Sequence, residues 1–491
     1  MQRTNANDFY RILGLKANAP ADAIQQAFSD LNTKIPPEAQ TADNPKYQRL
    51  LQAYQILSDS KRRAAYDAFL AAQAPSALRL ETVVSGQKLP LLNTPQIVYL
   101  LVNVKPTQQE SQVHNPLNLS LVIDRSTSMQ GMRLERVKAA VNLIFDKLAP
   151  EDILSVINFS DRAEVVLPSS SVSTNKPALI AKIRGMQASG GTEIFQGLEA
   201  GVSQLRQMPL AEYTNHLVLL TDGHTYGDAD KCLALATETA ARNIGISAFG
   251  IGHEWNDDFL DQLVAPSGGH SDHIENPAQI IEYLQKHISS LGDVYARNVQ
   301  FSVNLPRPIT LEYSFKLAPF AQTIFAENNN IKLGNIEGRS PLKFLLELTV
   351  QAQQTAVQLA IPMQITADIP SQQQHQKTFQ KIVSLDIQAD PPEAETPPEL
   401  LSAVRALNMY RLNEKVWEEV EAGQLEMATK RMRHLSTRLL EVGQTQLAHQ
   451  AHTEVLRLEK MGDLSDEGRK KLKYGTRSLF TGLLADLDLD K

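Results

Sequence analysis

The stretch that most constrains the fold is a short apolar run that ends in a carboxylate and leads into an amphipathic segment. Leu119 to Ile123 are apolar and bounded by polar residues, which predicts a buried strand. Beyond Gly131, apolar residues recur at helical spacing. They are Val137, Ala140, Val141, Ile144 and Leu148. We therefore expect an open α/β sheet with polar residues at the carboxyl end of a strand, where such sheets bind their ligands.

Oxygen-bearing side chains occupy alternate positions of the loop between this strand and this helix. Asp124, Ser126 and Ser128 can direct their oxygens to a common centre, and an all-oxygen site suits a hard cation such as Mg²⁺. Two further stretches have the same character: Gly190-Gly191-Thr192 precedes a helical segment, and a second apolar strand ends at Asp222.

Together these stretches resemble the metal-ion-dependent adhesion site of von Willebrand factor type A domains, over roughly 118–292. The resemblance implies a doubly wound, Rossmann-like domain, which we expect at 118–293. It also implies that Ser126, Ser128 and Thr192 bind Mg²⁺ directly, with Mn²⁺ or Ca²⁺ as alternatives. Asp124 and Asp222 would act directly or through water. One coordination position would stay open for an Asp or Glu carboxylate of a protein partner.

The first part of the chain, 5–70, predicts a small all-α module. Apolar stripes at helical spacing lie on Ala21 to Lys34 and on Asn44 to Leu57. The opening Asp-Phe-Tyr-x-x-Leu-Gly-Leu from Asp8 and the closing Leu-Ser-Asp-x-x-Lys-Arg-x-x-Tyr-Asp that ends at Asp67 resemble a J-domain.

This J-like module departs from its family at the active element. The His-Pro-Asp signature is replaced by Pro36-Pro37-Glu38, and most of the basic face of the second helix is replaced by neutral or acidic residues. Since the family uses these residues to stimulate a heat-shock ATPase, we interpret the module as a degenerate J-domain that serves in docking. A working co-chaperone that recruits clients through the A domain is the alternative.

Strand patterns flank the A domain on both sides. Strict alternation over Asn298 to Leu305 predicts a half-buried strand, and the short runs at 71–117, after a linker, and at 294–390 predict a β-sandwich. Because strands both precede and follow the A domain, we expect that domain to be inserted into the sandwich. A linker at 391–398 follows, then helices at 399–482, including a short charged helix over Asp463 to Lys473, and an acidic tail at 483–491 that is either frayed or a docking peptide.

Composition excludes several classes of protein. The 491 residues carry a net charge of −7, so no basic field favours nucleic acid. The single cysteine, Cys232, is expected to be a buried structural thiol in a reducing compartment. No apolar stretch is long enough to span a bilayer, and the polar N-terminus lacks a signal-peptide pattern, so we expect a cytoplasmic protein.

Two other chemistries compete with metal bridging. A hydrolase would need a base such as His224 beside Ser126 or Ser128, and the sequence offers no phosphate-binding Walker loop. His253, Glu254, Asp257 and Asp258 could form a second metal cluster, although capping of a helix near Asn256 explains them more simply. His270 and His273 are expected at the surface.

These observations lead to one functional prediction. The chain is expected to be a non-enzymatic adaptor that binds a partner carboxylate through a metal held by Asp124, Ser126, Ser128, Thr192 and Asp222. The J-like module would address it to a complex or a chaperone system. A further alternative, by analogy with other A-domain proteins, is an accessory subunit of an AAA-type ATPase.

Overall fold

A computed structural model describes most of the chain, which divides into two compact units, Met1–Ser76 and Ala77–Lys491. The described residues are 9–15, 19–41, 44–63, 66–67, 76–107, 116–172, 176–337, 341–392 and 395–489. The predicted linker at 71–75, the first residues of the predicted J-like module at 5–8 and the end of the predicted tail at 490–491 lie outside these ranges.

The first unit is a small helical domain, as predicted. Its helices are α1 Phe9–Ile12, α2 Ala21–Thr33 and α3 Pro45–Leu57, with a 3-10 turn at Pro37–Ala39. The apolar stripes of α2 and α3 face one another, so that Ile24 of α2 and Ala53 of α3 are fully buried. Phe28 and Tyr54 stack with ring centroids 4.1 Å apart.

The opening and closing motifs of this unit hold each other in place. Arg63 donates to the Tyr10 hydroxyl oxygen at 2.9 Å and to the Ala19 carbonyl at 2.7 Å. The Tyr10 hydroxyl in turn donates to Asp67 at 2.7 Å. Tyr10 of the opening motif thus forms hydrogen bonds with Arg63 and Asp67 of the closing motif, which explains why both motifs carry these residues.

In the second unit, two five-stranded sheets form a sandwich. The first sheet has the strand order β1-β3-β14-β11-β12 and the second β13-β10-β15-β16-β2. The strands that precede the A domain are β1 Leu78–Val84, β2 Lys88–Pro90 and β3 Gln96–Pro106. Those that follow it are β10 Val294–Val303, β11 Ile309–Ala318, β12 Gln322–Thr323, β13 Asn330–Glu337, β14 Leu342–Val350, β15 Val357–Ile369 and β16 Gln374–Gln388.

The pairing of β3 with β14 confirms that the A domain is inserted into the sandwich. These strands lie on opposite sides of the A domain in sequence, yet they pair antiparallel, with Leu101 opposite Leu345. The sandwich core lies between the sheets, where Phe301 and Phe344 meet edge to face at 4.9 Å. Strict alternation on β15 and β16 places every second side chain in this core, as a half-exposed antiparallel pair requires.

The inserted domain is a six-stranded sheet in the order β6-β5-β4-β7-β8-β9, parallel except for the antiparallel edge strand β6. Its strands are β4 Leu117–Asp124, β5 Ile153–Phe159, β6 Ala163–Ser171, β7 Thr214–Thr221, β8 Ile244–Ile251 and β9 Ser271–Ile274. Its helices are α4 Met132–Phe145, α5 Lys176–Arg184, α6 Ile194–Leu205, α7 Ala229–Ala241, α8 Asp257–Val264 and α9 Ile280–Gly292. Separate apolar clusters cover the two faces of the sheet, as expected for a doubly wound domain.

The inserted domain and the sandwich touch backbone to backbone at two glycines. Gly268 and Gly334 both have positive φ, +68° and +84°. A Cβ on Gly268 would lie 2.3 Å from the Gly334 nitrogen, so a side chain there would force the two domains apart. Lys316 of β11 reinforces the contact by donating to the Gly268 carbonyl at 2.7 Å.

Four helices end the chain: α10 Pro398–Glu421, α11 Leu425–Glu441, α12 Thr445–Met461 and α13 Asp466–Leu489. They pack on the outer face of the first sheet, where Leu101, Phe315 and Leu345 join their apolar cluster. The prediction of a short helix over 463–473 is wrong, because α13 continues to Leu489 and its charged side is buried against the A domain. Within the described ranges, no helix combines the length and the apolarity that a membrane crossing requires.

Candidate metal site

The Asp-x-Ser-x-Ser loop lies at the carboxyl end of the central strand β4. Every residue of β4 is buried, and Asp124 is its last residue. A 3-10 turn at Thr127–Met129 follows, and Gly131, with φ +83°, turns the chain into α4. The left-handed conformation at Gly131 explains why the sequence places a glycine between the loop and the helix.

Asp124 is fully buried and is held by hydrogen bonds on both carboxylate oxygens. Oδ1 accepts from the Ser126 backbone N–H at 2.7 Å, and Oδ2 accepts from the Thr221 hydroxyl at 2.7 Å. Burial raises the pKa of Asp124 from its ordinary value to about 6, although the bonds from Thr221 and Ser126 lower it. The carboxylate is thus fixed in orientation and desolvated, as an oxygen ligand that awaits a cation would be.

The two serines and Asp222 form a chain of short contacts. The Ser126 and Ser128 hydroxyl oxygens are 3.0 Å apart, and Ser128 Oγ donates to Asp222 Oδ1 at 2.7 Å. Asp222 lies directly after β7, beside β4 in the sheet, and is fully buried. Its other oxygen accepts from Arg133 at 2.5 Å, and the same guanidinium donates to the Ser128 carbonyl at 3.2 Å.

Thr192 reaches this group from a neighbouring loop. Its side chain is buried, and its Oγ1 lies 3.2 Å from the position that a Cβ on Gly223 would take. The loop is tied to the first one because the Thr127 N–H and hydroxyl both donate to the Gly190 carbonyl, at 3.1 and 3.0 Å. All five predicted residues therefore meet at one edge of the sheet.

Several supporting residues of this site were missed at the sequence level. Asp161 accepts from the Gly191 N–H at 2.8 Å, and Thr225 and Asp228 accept from the first N–H groups of α6, at 3.2 and 2.9 Å. The first-turn N–H groups of a helix have no intrahelical acceptor, so these contacts fix the loop that carries Thr192. No local sequence pattern revealed these roles.

The donor set fits a hard divalent cation. Three hydroxyls and two carboxylates converge, without thiolate or imidazole, and this chemistry suits Mg²⁺, Mn²⁺ or Ca²⁺ rather than softer metals. The binding of a metal by Asp124, Ser126, Ser128, Thr192 and Asp222 stays a prediction. Among the described residues, no cluster of three or more His, Cys, Asp or Glu side chains could hold a metal by itself.

The hydrolase alternative has no support in the contacts of the two serines. His224 is exposed, and the described hydrogen-bond partners of Ser126 and Ser128 are each other, Asp124, Asp222, Arg133 and backbone groups. Cys232 is fully buried, and burial raises the pKa of its thiol well above the ordinary value, so the thiol stays protonated. That result agrees with the structural role expected for Cys232.

The segment from His253 to Asp258, which follows β8, does not form a second metal cluster. Asn256 caps α8 by accepting from the Phe259 N–H at 2.9 Å, as the simpler interpretation required. Asp257 and Asp258 instead accept from Lys473 of α13, at 2.6 and 2.8 Å.

The prediction that His270 and His273 lie at the surface is wrong. Their exposed fractions are 4% and 8%. His270 stacks on Phe320 of the sandwich with ring centroids 3.7 Å apart, and His273 Nε2 pairs with the Gly252 carbonyl at 2.8 Å. The surrounding glycines suggested an exposed loop, but the sandwich and α13 cover it.

Comparison with known proteins defines the class of this chain. The family model described as the von Willebrand factor type A domain matches residues 118–287, and the DnaJ domain model matches residues 8–67. The chain therefore contains a von Willebrand factor type A domain and a DnaJ domain. Since type A domains are generally adhesion or interaction modules, the match assigns a protein-interaction role to this part of the chain.

The C-terminal helices match a more particular model, the Sll0103-like C-terminal alpha-helical domain, over residues 398–482. The chain is also 28% identical to the uncharacterized protein sll0103 of Synechocystis sp. over 372 residues, which are 74% of this chain and 88% of that protein. Inter-alpha-trypsin inhibitor heavy chain H2 of Mesocricetus auratus is 29% identical over 200 residues, which cover 38% of this chain but only 21% of that protein.

Solved structures resemble the fold across the type A domain and beyond it. A von Willebrand factor type A protein from Catenulispora acidiphila superposes with a TM-score of 0.65 at 15% identity, covering 82% of this chain and 96% of that one. The ArnB paralog VWA2 from Sulfolobus acidocaldarius gives a TM-score of 0.51 at 14% identity, with 83% and 99% coverage. These likenesses show a shared fold that extends well beyond the type A domain.

Proposed function

We propose that this chain is a non-enzymatic adaptor that binds a partner protein through a divalent metal at the edge of the A-domain sheet. The observation that carries the proposal is the convergence of two buried carboxylates and three hydroxyls from three separate loops. Such a constellation has no packing role of its own, since buried carboxylates without a cation cost stability. The neighbouring Arg133 compensates only one of them, Asp222.

The hydroxyl and carboxylate side chains of the site would have different roles. Ser126, Ser128 and Thr192 would contact the metal, while Asp124 and Asp222 would supply charge and orient the hydroxyls. Only two carboxylates, Asp124 and Asp222, would face a bound dication. The metal would therefore remain electrophilic, and one open coordination position could accept a carboxylate from outside the chain. A partner that presents an exposed Asp or Glu therefore fits the site, and Mg²⁺ is the proposed cation.

The J-like module would dock the adaptor on a larger assembly. In its own unit, the Pro36-Pro37-Glu38 segment starts a 3-10 turn, and Gln40 braces the segment by donating to the Asn32 and Ile35 carbonyls, at 3.2 and 2.9 Å. This ordered loop lacks the His and Asp of the family, which favours docking over stimulation of an ATPase. The lone, buried Cys232 supports a reducing compartment, and we propose the cytoplasm.

Metal titration of the full chain tests the proposal. Calorimetry with MgCl₂ and MnCl₂ should give one saturable site in wild type, and Ser128→Ala should weaken it by about tenfold or more, since it removes a ligand without a charge. Ser170→Ala, at a serine of β6 whose hydroxyl donates to the nearby Pro168 carbonyl, is the matched control. Equal metal affinity in wild type and Ser128→Ala, with both folded, would contradict the assignment.

A further inference from the structure

A second candidate site lies at the opposite end of the A-domain sheet. A cavity of about 700 Å³ opens between the start of β7 and β8 and the sandwich. His216 on β7 and Lys316 on β11 both line it. Since β7 runs from Thr214 to Thr221, its two ends are about 23 Å apart, so the cavity is distinct from the metal site.

Three buried histidines from different elements line this cavity. His216 belongs to β7, His270 precedes β9, and His287 belongs to α9, with exposed fractions of 5%, 4% and 4%. The His270 and His287 ring centroids are 4.7 Å apart, and those of His216 and His287 are 5.5 Å apart. Burial lowers the pKa of His216 to about 3, and that of His270 and His287 well below the ordinary value, so all three rings are neutral at pH 7.

Each ring carries at least one nitrogen without a hydrogen-bond partner among the described residues. These are His216 Nδ1, His270 Nε2 and both nitrogens of His287. A neutral imidazole always has one N–H, so His287 presents an unsatisfied donor in either tautomer. Buried unsatisfied donors cost about 1–3 kcal/mol each, and a ligand is one of the reasons that a protein keeps them.

A serine couples the other two rings. Ser247 Oγ lies 3.0 Å from His216 Nε2 and 3.4 Å from His270 Nδ1. If His216 donates to Ser247 and Ser247 donates to His270, the free His270 Nε2 must carry the proton and becomes a donor. The reverse arrangement makes His216 Nδ1 the donor, so the pair offers one free N–H whenever Ser247 donates to one of the two rings.

Cationic side chains also line the cavity. Lys316 is 3% exposed, and burial lowers its pKa to about 8 in spite of Glu337, so it remains largely charged at pH 7. Arg297 also lines the cavity, and its buried Nε has no partner among the described residues. The carboxylates that line the cavity are Glu337 and Asp368, whereas four side chains with permanent or near-permanent positive charge line it, namely Arg242, Arg297, Lys316 and Lys332.

We propose that this cavity binds a small anion that carries phosphate or carboxylate groups, received by Lys316, by the free N–H of His287 and by the free N–H of the His216–His270 pair. The four cationic side chains outnumber the two carboxylates, which favours an anion, and a cation or an acceptor-poor apolar ligand would leave the N–H groups unsatisfied. The volume lies within the range of ordinary small-molecule pockets. The site is independent of the metal-dependent function.

Calorimetry of the full chain tests this proposal with inorganic phosphate in one arm and citrate in the other. The protein is stripped of metal with EDTA beforehand, and the EDTA, itself a polycarboxylate, is then removed, so that no metal can bridge the anion to Asp124 or its neighbours. Wild type should bind at least one of the anions saturably, and Lys316→Met should weaken that binding about tenfold or more. Arg405→Met, at an exposed cation on α10, should bind as wild type does.

Three results would overturn the proposal: neither anion binds saturably, Lys316→Met binds as tightly as wild type, or the control is weakened as much as Lys316→Met. If Lys316→Met does not fold, ¹⁵N-histidine spectra of wild type decide instead. Saturable shifts of the His270 and His287 ring nitrogens support the site. Unchanged resonances would mean that these nitrogens bind water only, and the anion site would be rejected.

Discussion

Arg133 shapes the candidate metal site as much as its ligands do. Its guanidinium donates to Asp222 at 2.5 Å, with Asp222 fully buried and Arg133 about one-third exposed. The arginine thus supplies a positive charge where a dication would otherwise provide it. Because Arg133 pairs with it, Asp222 can stay charged and buried without a metal. A bound dication would then compete with the Arg133 guanidinium for the Asp222 carboxylate.

Removing this competitor should strengthen metal binding. We expect Arg133→Met to raise the affinity for Mg²⁺ by about tenfold, or about 1.4 kcal/mol, because a nearby like charge opposes the dication. Calorimetry with MgCl₂ measures the change. The control is Arg206→Met, which removes a partly exposed cation that follows α6 and pairs with Glu238 of α7. A weaker affinity in Arg133→Met would instead make this arginine part of the binding machinery.

The buried histidines should make the second unit sensitive to acid. The pKa of His216 is about 3 in the folded chain against 6.5 for the free side chain, so the unfolded chain binds the extra proton between these values. The free energy of unfolding should therefore fall as pH falls below 6.5, by about 1 kcal/mol between pH 7.5 and 5.5 for His216 alone. Half-buried Asp272, whose pKa is raised to about 6 by desolvation, acts in the opposite direction.

Comparison of variants isolates this histidine. Denaturant unfolding in phosphate-free buffers at pH 7.5 and 5.5 should show a smaller pH difference in His216→Gln than in wild type, since Asp272 is common to both. An identical pH difference in the two chains would mean that His216 does not titrate as its burial demands.

Local chemistry explains which site residues could be predicted. Asp124, Ser126 and Ser128 share one loop, so their spacing alone places three oxygens together. Thr192 and Asp222 were found only through the family resemblance, because sequence spacing says nothing of loops that meet across a sheet. Arg133 gave no signal, since an arginine in the first turn of an amphipathic helix is ordinarily solvated.

At the scale of elements, α13 departs furthest from its sequence pattern. The sequence predicted only a short helix over 463–473, charged on one side. In the structure this charged side continues beyond Lys473 and is buried: Lys473 is 1% exposed and Arg477 5% exposed. Lys473 pairs with Asp257, Asp258 and Asp261 at 2.6, 2.8 and 3.0 Å. Burial would raise the pKa of Asp261, but Arg477 and Lys473 lower it below the ordinary value.

Breaking this buried cluster should destabilise the second unit. We expect Lys473→Met to cost about 3 kcal/mol in the free energy of unfolding, because Asp257 and Asp261 stay buried and each keeps only an arginine as its cationic partner. Lys471→Met is the matched control. This lysine lies two residues before Lys473 on the same helix, and it pairs with half-exposed Glu275 and Glu467. Its loss should cost less than about 1 kcal/mol. Equal costs in denaturant unfolding would contradict the buried role of Lys473.

The elements themselves followed the sequence closely where one periodicity dominated. Alternation over 298–305 predicted most of β10, and apolar recurrence over 21–34 and 44–57 predicted α2 and α3 to within a few residues. The aspartates that pair with the basic residues of α13, such as Asp257 with Lys473, lie about 200 residues earlier in the chain. No local stretch of sequence therefore contained both partners.

At the scale of the whole chain, the insertion of the A domain has a structural consequence. Its two ends connect to β3 and β10, which belong to different sheets of the sandwich. The domain also contacts the sandwich at Gly268 and α13 through Asp257. Strand pairing and side-chain contacts thus fix the orientation of the domain inside the second unit, a result that follows from long-range contacts and not from local patterns.

The J-like module should not act as a co-chaperone. With Pro36-Pro37-Glu38 in place of His-Pro-Asp, we expect the full chain to leave the ATPase rate of a heat-shock protein 70 at its basal value in a single-turnover assay. The double variant Pro36→His, Glu38→Asp restores the signature residues and is the informative comparison. Stimulation by the wild-type chain would replace the docking role by a co-chaperone role.

The most direct test of the central claim is an affinity capture of partners from native lysate with Mg²⁺ or with EDTA, using wild type and Ser128→Ala. We predict that specific proteins are retained by wild type in Mg²⁺ and are lost both with EDTA and with Ser128→Ala, while Ser170→Ala retains them. If the same proteins are retained whatever the metal and whatever residue stands at 128, binding does not pass through the A-domain site and the account is wrong.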